Sequence, residues 1–202
     1  MCIRAPFWNY DDLRVRAEDF LAEHNPDRVV PVPIEGIVEF RFGMDIVPVP
    51  GLQQGFDTVS YLTADLQDIR VDEFVFTSRL NRYRFSLAHE LAHRVLHREV
   101  FEQLAFGDID SWKRVMRELI PEKEYRFLEF HANSFAGLVL VPRPELATAF
   151  GETIETFRGL GFAEFSDPVR DYVEAQLAER FVVSTEVIHR RVERDDLWET
   201  LD

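Results

Sequence analysis

The sequence predicts an α+β fold in which a small antiparallel sheet packs against two long helices, followed by a helix-turn-helix-like C-terminal appendage. Segments rich in β-branched and aromatic residues indicate the strands, and apolar residues at helical spacing indicate the helices. The predicted strands cover residues 44–49, 58–64 and 70–76, and the main helical stretches cover 81–97, 124–140 and 169–197. We predict a main domain at residues 1–150, and a linker with the helical appendage at 151–202.

Composition excludes several classes of protein. The chain has 202 residues, 46% of them hydrophobic, which is enough for a packed core. A single cysteine excludes an internal disulfide and is typical of a reducing cytosol. No apolar run reaches the roughly 20 residues of a membrane span and no secretory signal is recognised, so we predict a cytoplasmic protein without a membrane partner. The net charge of −14 argues against a dedicated duplex-DNA binder.

The segment before the sheet is predicted to contain an amphipathic helix at residues 10–25. Apolar residues recur there at helical spacing, and acidic residues lie near its start. A proline-rich extended stretch at 30–33 and a helix at 34–40 lead into the strands. Residues 1–9 are apolar for a free terminus, so we expect them to dock on the domain.

The helix predicted at 81–97 contains a His-Glu-x-x-His motif formed by His89, Glu90 and His93. Residues four apart share one face of a helix, so the two histidines can direct their imidazoles at one metal ion. Zinc accepts imidazole nitrogen and lowers the pKa of bound water to about 7, so Glu90 can act as the general base. The alternative is a solvated helix face, which the apolar residues flanking the histidines disfavour.

The third metal ligand is expected from the helix at 124–140. The metzincin pattern fails, because the chain has leucine and glutamate where that pattern needs glycine and histidine. Glu129 and Asn133 are four apart, so the carboxylate can bind the metal while the amide hydrogen-bonds a ligand histidine. His131 is the alternative ligand, but it points about 200° away from Glu129 around the helix. The two residues therefore cannot both bind the metal, and we favour Glu129 because the Glu129–Asn133 pair also supplies a hydrogen bond to a ligand histidine.

Two segments resemble the signatures of the ImmA/IrrE metallopeptidases. The first is R-F-S-L-A-H-E-L-A-H at residues 84–93, and the second is E-F-H-A-N-S-F-A-G-L-V-L-V-P at residues 129–142. His131 stands where the family usually has a second acid, and Val141 stands where it has methionine. Residues 98–122 look like an insertion. The resemblance is close over residues 35–145 and looser elsewhere.

The resemblance implies a zincin-like fold with a Zn²⁺ site in which Glu129 corresponds to the family's metal ligand. It also implies a cytoplasmic endopeptidase that cleaves a helix-turn-helix transcriptional repressor, encoded nearby. Cleavage would release stress-response, mobile-element or antiviral (phage-defence) genes. A single-stranded nucleic acid is one candidate for the activating signal.

Peptide hydrolysis also needs a donor to the oxyanion, and the sequence does not rank the candidates. These candidates are Tyr61, Tyr83, Tyr125 and His131. Cys2 is the only thiol of the chain, and a thiolate is a good zinc ligand. An N-terminal arm that carries Cys2 could keep the enzyme inactive as a cysteine switch. The alternative is an ordinary, partly exposed cysteine.

Three further expectations concern the surroundings of the motif. The third strand, ending at Thr77, is expected to be the sheet edge that pairs with an extended substrate. Asn81 is expected to be the N-cap of the motif helix. His97 lies two turns beyond His89, so we expect it to support the site or to lie on the surface rather than to bind the metal.

The insertion at 98–122 is predicted to form two short helices broken at Gly107-Asp108. Their apolar residues could line a substrate groove, but core packing is favoured. Arginines also cluster around the motif helix, which indicates either a local basic groove or pairing with the surplus acids, and pairing is favoured. These arginines are Arg79, Arg82, Arg84, Arg94 and Arg98.

The C-terminal part is predicted to contain a short helix at 143–150, a loop at 151–168 and the two helices of the appendage. Arg190, Arg191 and Arg194 could touch phosphates, but acids lie among them, so packing or partner recognition is favoured over DNA reading. The appendage motivates an alternative function, a zinc-containing transcription regulator that does not cleave. Glu90 argues against a third possibility, a toxin or purely structural zinc module, because such a site needs no base.

Overall fold

The computed structural model describes residues 3–162 and 164–201, which form a mostly helical chain with one small sheet. The strands are β1 (Asp45–Val49), β2 (Ser60–Leu62) and β3 (Asp68–Asp72). The helices are α1 (Tyr10–His24), α2 (Ile34–Gly36), α3 (Leu52–Phe56), α4 (Glu73–Ser78), α5 (Leu80–Leu96), α6 (Arg98–Phe101), α7 (Ile109–Leu119), α8 (Glu122–Leu140), α9 (Arg143–Gly159), α10 (Asp167–Phe181) and α11 (Thr185–Arg194). A π-helix at Ile37–Arg41 continues α2, and a 3-10 helix covers Leu197–Leu201. Within the described residues, no helix is both long and apolar enough to cross a bilayer.

The α+β fold is confirmed, but the sheet is mixed rather than antiparallel. The strand order is β1-β3-β2, in which β1 pairs with β3 in parallel and β2 pairs with β3 antiparallel. The prediction that the third strand runs to Thr77 and forms the substrate edge is wrong. β3 ends at Asp72, whose carboxylate accepts hydrogen bonds from the backbone N–H groups of Phe74 and Val75 and so starts α4. The outer strands are therefore β1 and β2.

Helix α5 lies at the centre of the fold, packed against α8 on one side and against β2 and β3 on another. Its apolar residues Leu87, Leu91 and Ala92 are buried in the core. This packing fixes α5 against α8, so the motif histidines lie at the interface between the two long helices. The predicted N-cap is wrong, because α5 begins at Leu80. The Asn81 amide instead donates a hydrogen bond to the carbonyl oxygen of Val183 at 2.8 Å, and this bond connects α5 to the turn before α11.

The loop predicted at residues 151–168 is helical over its first half. Helix α9 continues to Gly159 because Phe150, Ile154 and Phe157 repeat at helical spacing and are buried. The predicted domain boundary at residue 150 falls inside this helix, and the apolar cluster extends across it into α10 and α11. The two helices of the appendage form as predicted, with Val182 in the left-handed conformation at the turn (φ 53°).

Of the two roles that the sequence left open for Arg191, phosphate contact and packing, the structure shows packing. The residue is only 3% exposed, and its guanidinium donates hydrogen bonds to the Asp195 carboxylate at 2.8 Å and the Tyr10 hydroxyl at 2.7 Å. Arg190 pairs with Glu186 one turn away on the same helix. Much of the positive charge of α11 is therefore already paired within the protein.

Candidate metal centre

The two motif histidines and Glu129 converge on one point between α5 and α8. The Nε2 atoms of His89 and His93 lie 3.2 Å apart. The Glu129 carboxylate oxygens lie 3.5 Å from the His89 Nε2 atom and 3.6 Å from the His93 Nε2 atom. Tetrahedral bonds of 2.0–2.1 Å place neighbouring ligand atoms about 3.4 Å apart. The three side chains thus fit the spacing of a zinc ligand set with two nitrogens and one oxygen.

The electrostatics of this group also suit a cation. Burial lowers the pKa of His89, and the neighbouring His93 lowers it further, so the imidazole is neutral and can offer a lone pair. Burial alone would raise the pKa of Glu129, but its hydrogen bonding and charge interactions with His93 and His89 outweigh that effect and lower it. An ionised carboxylate and two imidazole nitrogens form a donor set suited to Zn²⁺. These three residues form a candidate metal-binding group, in which the histidines were predicted from the motif spacing and Glu129 from the second helix.

Glu90 lies beside the ligand group but does not belong to it. It follows His89 on α5, and its carboxylate lines the same cavity as the three ligands. Its Oε1 atom accepts a hydrogen bond from the Ser60 hydroxyl group of β2 at 2.7 Å. Burial raises the pKa of Glu90, which makes the carboxylate a stronger base. Sequence reasoning missed Ser60, because the contact joins residues 30 positions apart.

Asn133 lies where the sequence predicted it, next to a ligand histidine. Its Oδ1 atom lies 3.2 Å from the Nδ1 atom of His89, and its Nδ2 group donates to the carbonyl oxygen of Glu129 at 2.8 Å. The second bond fixes the orientation of the amide, so Oδ1 faces His89 and accepts its Nδ1 proton. The Nε2 lone pair of His89 is then directed at the metal position.

Behind His93, three imidazoles form a buried chain. The Nδ1 atoms of His93 and His97 are 3.0 Å apart, and the Nε2 atom of His97 is 3.2 Å from the Nδ1 atom of His131. For His93 to offer Nε2 to a metal, its Nδ1 must carry the proton and donate to His97, which then donates from Nε2 to His131. Burial lowers the pKa of His97 and of His131, so both rings are neutral as this sequence of bonds requires.

The N-terminal segment covers this chain of imidazoles from outside. The Trp8 ring stacks on His97 with ring centroids 6.1 Å apart, and it also contacts His131 at 5.3 Å. Ile3 is buried, and the Ala5 backbone N–H group donates to the Glu124 carboxylate at 2.8 Å. Docking of the N-terminal segment is therefore confirmed from residue 3 onward. The predicted switch residue Cys2 lies outside the described residues.

We expect His97→Phe to lower zinc affinity about 10- to 100-fold, because His93 would lose the acceptor that fixes its tautomer and ring orientation. The measurement is competition for zinc against a chromophoric chelator. His131→Phe is the matched control, since it removes the next imidazole along the chain while His93 keeps its partner. It should have the smaller effect. Unchanged zinc affinity in a folded His97→Phe protein would contradict this account.

The four candidate oxyanion donors lie in different places. Tyr125 lines the cavity with Glu90 and the ligands, and burial and the Glu129 charge both raise its pKa, so its hydroxyl keeps its proton. The Tyr83 hydroxyl donates to Glu35 at 2.8 Å, and the Tyr61 hydroxyl accepts from Arg70 at 3.2 Å, both outside this cavity lining. His131 is buried in the imidazole chain. Only Tyr125 shares the cavity.

The cavity at the metal centre has a volume of about 370 Å³ and one largely apolar wall. That wall comes mainly from the predicted insertion, which forms α6 and α7 and is broken at Gly107-Asp108 as predicted. Phe101, Trp112 and Met116 line the cavity, and Phe101 and Met116 are also buried in the core. Phe101 and Met116 therefore have both of the roles that the sequence offered as alternatives, core packing and groove wall.

The fold and the site together define a metallopeptidase-like class of protein, in which a His-Glu-x-x-His helix and a glutamate from a second helix form the centre. Comparison with known families agrees. The IrrE N-terminal-like domain family (Peptidase_M78) matches residues 77–193, so the chain belongs to this peptidase family, and the resemblance noted in the sequence is confirmed. The matched segment contains both helices of the candidate metal centre, the helix α10, and all of α11 except Arg194.

Among solved structures, the chain is similar to a Mycobacterium tuberculosis transcriptional regulator. The two share 17% sequence identity and superpose with a TM-score of 0.55. The match covers 90% of this chain but only 46% of the regulator, so it shows a common fold over less than half of that protein. No curated protein matches the chain.

Proposed function

We propose that the protein is a cytoplasmic, zinc-dependent endopeptidase that cleaves a helix-turn-helix transcriptional repressor, encoded nearby, and so derepresses stress-response, mobile-element or phage-defence genes. The proposed peptide hydrolysis rests on the position of Glu90, a buried carboxylate that lies beside the ligand group and does not belong to it. A structural metal site has no use for such a base. The family match supports the peptidase class, and the identity of the substrate follows from the resemblance alone.

In this proposal His89, His93 and Glu129 hold the zinc ion. Bound zinc would supply a Lewis acid for the scissile carbonyl and would acidify a water molecule. Asn133 orients His89, and His97 orients His93, so neither ligand has to reorganise during the reaction.

Glu90 moves the proton. Its Oε1 atom accepts a hydrogen bond from Ser60, which orients the carboxylate, and Glu90 takes a proton from the attacking water. The raised pKa of Glu90 suits this exchange, because a base is most effective when its pKa lies near the working pH. Glu90 then returns the proton to the leaving amine nitrogen. Tyr125 is the donor best placed to hydrogen-bond the oxyanion.

A substrate segment can reach this centre in an extended conformation. The outer strand β2 carries Ser60 next to Glu90, and its free edge can pair with a peptide through main-chain hydrogen bonds. The apolar wall of Phe101, Trp112 and Met116 favours an apolar substrate side chain beside the scissile bond. These features suit site-specific cleavage.

The test is incubation of the purified protein with the helix-turn-helix repressor encoded beside its gene, with zinc or with a chelator. We expect discrete fragments with zinc, none with excess chelator, and recovery when zinc is restored, because chelation removes the Lewis acid but leaves the fold. Mass spectrometry of the fragments maps the cut. An intact repressor under both conditions, with zinc bound at one equivalent, would reject the proposed substrate.

A second candidate is a zinc-containing transcription regulator that does not cleave. Two observations favour it: the paired helices α10 and α11, and the similarity in fold to a transcriptional regulator. Sequence-specific DNA binding that is insensitive to Glu90 substitution would support it. The pairing of Arg190 and the burial of Arg191 count against α11 as a DNA-reading helix.

A further inference from the structure

A second, larger cavity of about 940 Å³ lies next to the metal centre. We call it the arginine groove. It is bounded by the start of α5, the middle of α8 and the helix α11, and it contains five arginines but only one acidic residue, Glu186. The arginines are Arg79, Arg82, Arg190, Arg191 and Arg194. In a chain with 37 acidic and 23 basic residues, this is a marked local reversal of charge.

The arginine groove adjoins the cavity of the metal centre. Arg82 and Phe85 line both cavities. Asn133, which hydrogen-bonds the ligand His89, lines the groove as well. A peptide that lies across the metal centre can therefore extend past Arg82 and Phe85 towards the groove on one side of the scissile bond.

Three of the five guanidinium groups are available to a ligand. Arg190 is paired with Glu186, and the buried Arg191 is paired with Asp195. Among residues 3–162 and 164–201, Arg79, Arg82 and Arg194 form no ion pair, and all three side chains are exposed. Arg79 lies over the Phe74 ring at 5.3 Å, and Arg194 lies over the Tyr10 ring at 4.6 Å.

The rest of the groove lining is neutral and part of it is apolar. Leu80 is 58% exposed and Phe130 is 37% exposed, so both offer apolar surface in the groove. Asn81, Ser134 and Ser184 add neutral hydrogen-bonding groups between them. A surface of this kind suits a peptide that combines acidic and apolar side chains, because each type finds a partner.

We propose that the arginine groove binds an acidic segment of the protein substrate, adjacent to the scissile bond, with Arg79, Arg82 and Arg194 pairing its carboxylates. That the bound segment belongs to a substrate rests on the proposed peptidase function, but binding of an acidic peptide does not require cleavage. A peptide is favoured over a nucleic acid because the groove leads to the metal centre and the chain as a whole carries −14 charges, which repel a long polyanion. The Tyr10 ring is also already covered by Arg14 and Arg194, so it is not free to stack on a base.

The test measures binding without turnover, on the full chain with the Glu90→Gln substitution. The probes are a fluorescein-labelled dodecapeptide with four glutamates followed by apolar residues, its counterpart with four glutamines, and a labelled oligo-dT of twelve nucleotides. Fluorescence anisotropy is recorded with zinc and with chelator. The double variant Arg82→Gln/Arg194→Gln is compared with Arg98→Gln/Arg126→Gln, which changes net charge equally at exposed arginines outside the groove.

We expect the glutamate peptide to bind at least about fivefold more tightly than the glutamine peptide, and the groove double variant to remove that preference. The control pair should change binding less than twofold. Equal binding of the two peptides would overturn the proposal, and so would an equal loss in both double variants. Preferential binding of oligo-dT that depends on Arg82 and Arg194 would reassign the groove to nucleic acid. Because this assay involves no cleavage, its outcome is independent of whether the proposed peptidase activity is found.

Discussion

Glu90→Gln is expected to reduce cleavage by roughly 10²- to 10⁴-fold while leaving zinc binding unchanged, since general acid–base catalysis typically contributes that much. Glutamine has nearly the same shape as glutamate, and its carbonyl oxygen can still accept the hydrogen bond from Ser60. It cannot take a proton from water at neutral pH. The substitution thus removes the base and preserves the neighbouring ligands His89 and His93.

Two measurements separate this effect from loss of the metal centre. Zinc content and affinity should match the unsubstituted protein for Glu90→Gln, whereas Glu129→Gln should weaken zinc binding because it replaces a carboxylate ligand. Glu99→Gln, at an exposed position on α6, is the control for charge and should cleave normally. Cleavage that survives Glu90→Gln at an undiminished rate would remove Glu90 as the base and leave the proton-transfer step without a residue.

Those parts of the site that lie on one helix were predictable, because their geometry is local. Two histidines four apart on one helix must share a face, and a glutamate next to the first must lie beside them. The same argument paired Glu129 with Asn133 on α8, and the structure places both against the ligand His89. Helical periodicity showed that Glu129 and His131 cannot both be ligands, and the pairing of Glu129 with Asn133 favoured Glu129. The structure directs His131 towards His97 and away from the ligand group.

What could not be predicted depends on contacts between distant parts of the chain. Sheet order is such a property, because no local pattern predicts that β3 lies between β1 and β2. Nor does a local pattern predict the hydrogen bond between Ser60 and Glu90. The Asn81 side chain hydrogen-bonds Val183, 102 positions away, and so it does not cap its own helix. The extension of α9 to Gly159 depends on the burial of Phe157. The sequence did not indicate this burial, because the stretch also contains glycines and acidic residues.

The burial of charge in α11 also depends on distant contacts, and it leads to the second large expected effect. Asp195 has a fully buried carboxylate that accepts from Arg191 at 2.8 Å and from Arg14 at 2.9 Å, with Arg143 at 3.7 Å. Arg191 also donates to the Tyr10 hydroxyl and to the carbonyl oxygen of Val141. These bonds connect α11 to α1 and to the end of α8, and they hold the wall of the arginine groove in place.

Asp195→Ala should therefore lower the free energy of unfolding by about 3–5 kcal/mol, because it leaves the Arg191 guanidinium buried without its counter-ion. For a chain of this size the melting temperature should fall by about 6–20 °C. Urea unfolding gives the free energy, and Glu193→Ala is the matched control, since this exposed glutamate on the same helix pairs only with His189 at the surface. Adding Arg191→Met to Asp195→Ala should recover part of the loss, because the buried charge is then gone. If Asp195→Ala destabilises the protein no more than Glu193→Ala, the buried pair is not what holds α11 against α1 and α8.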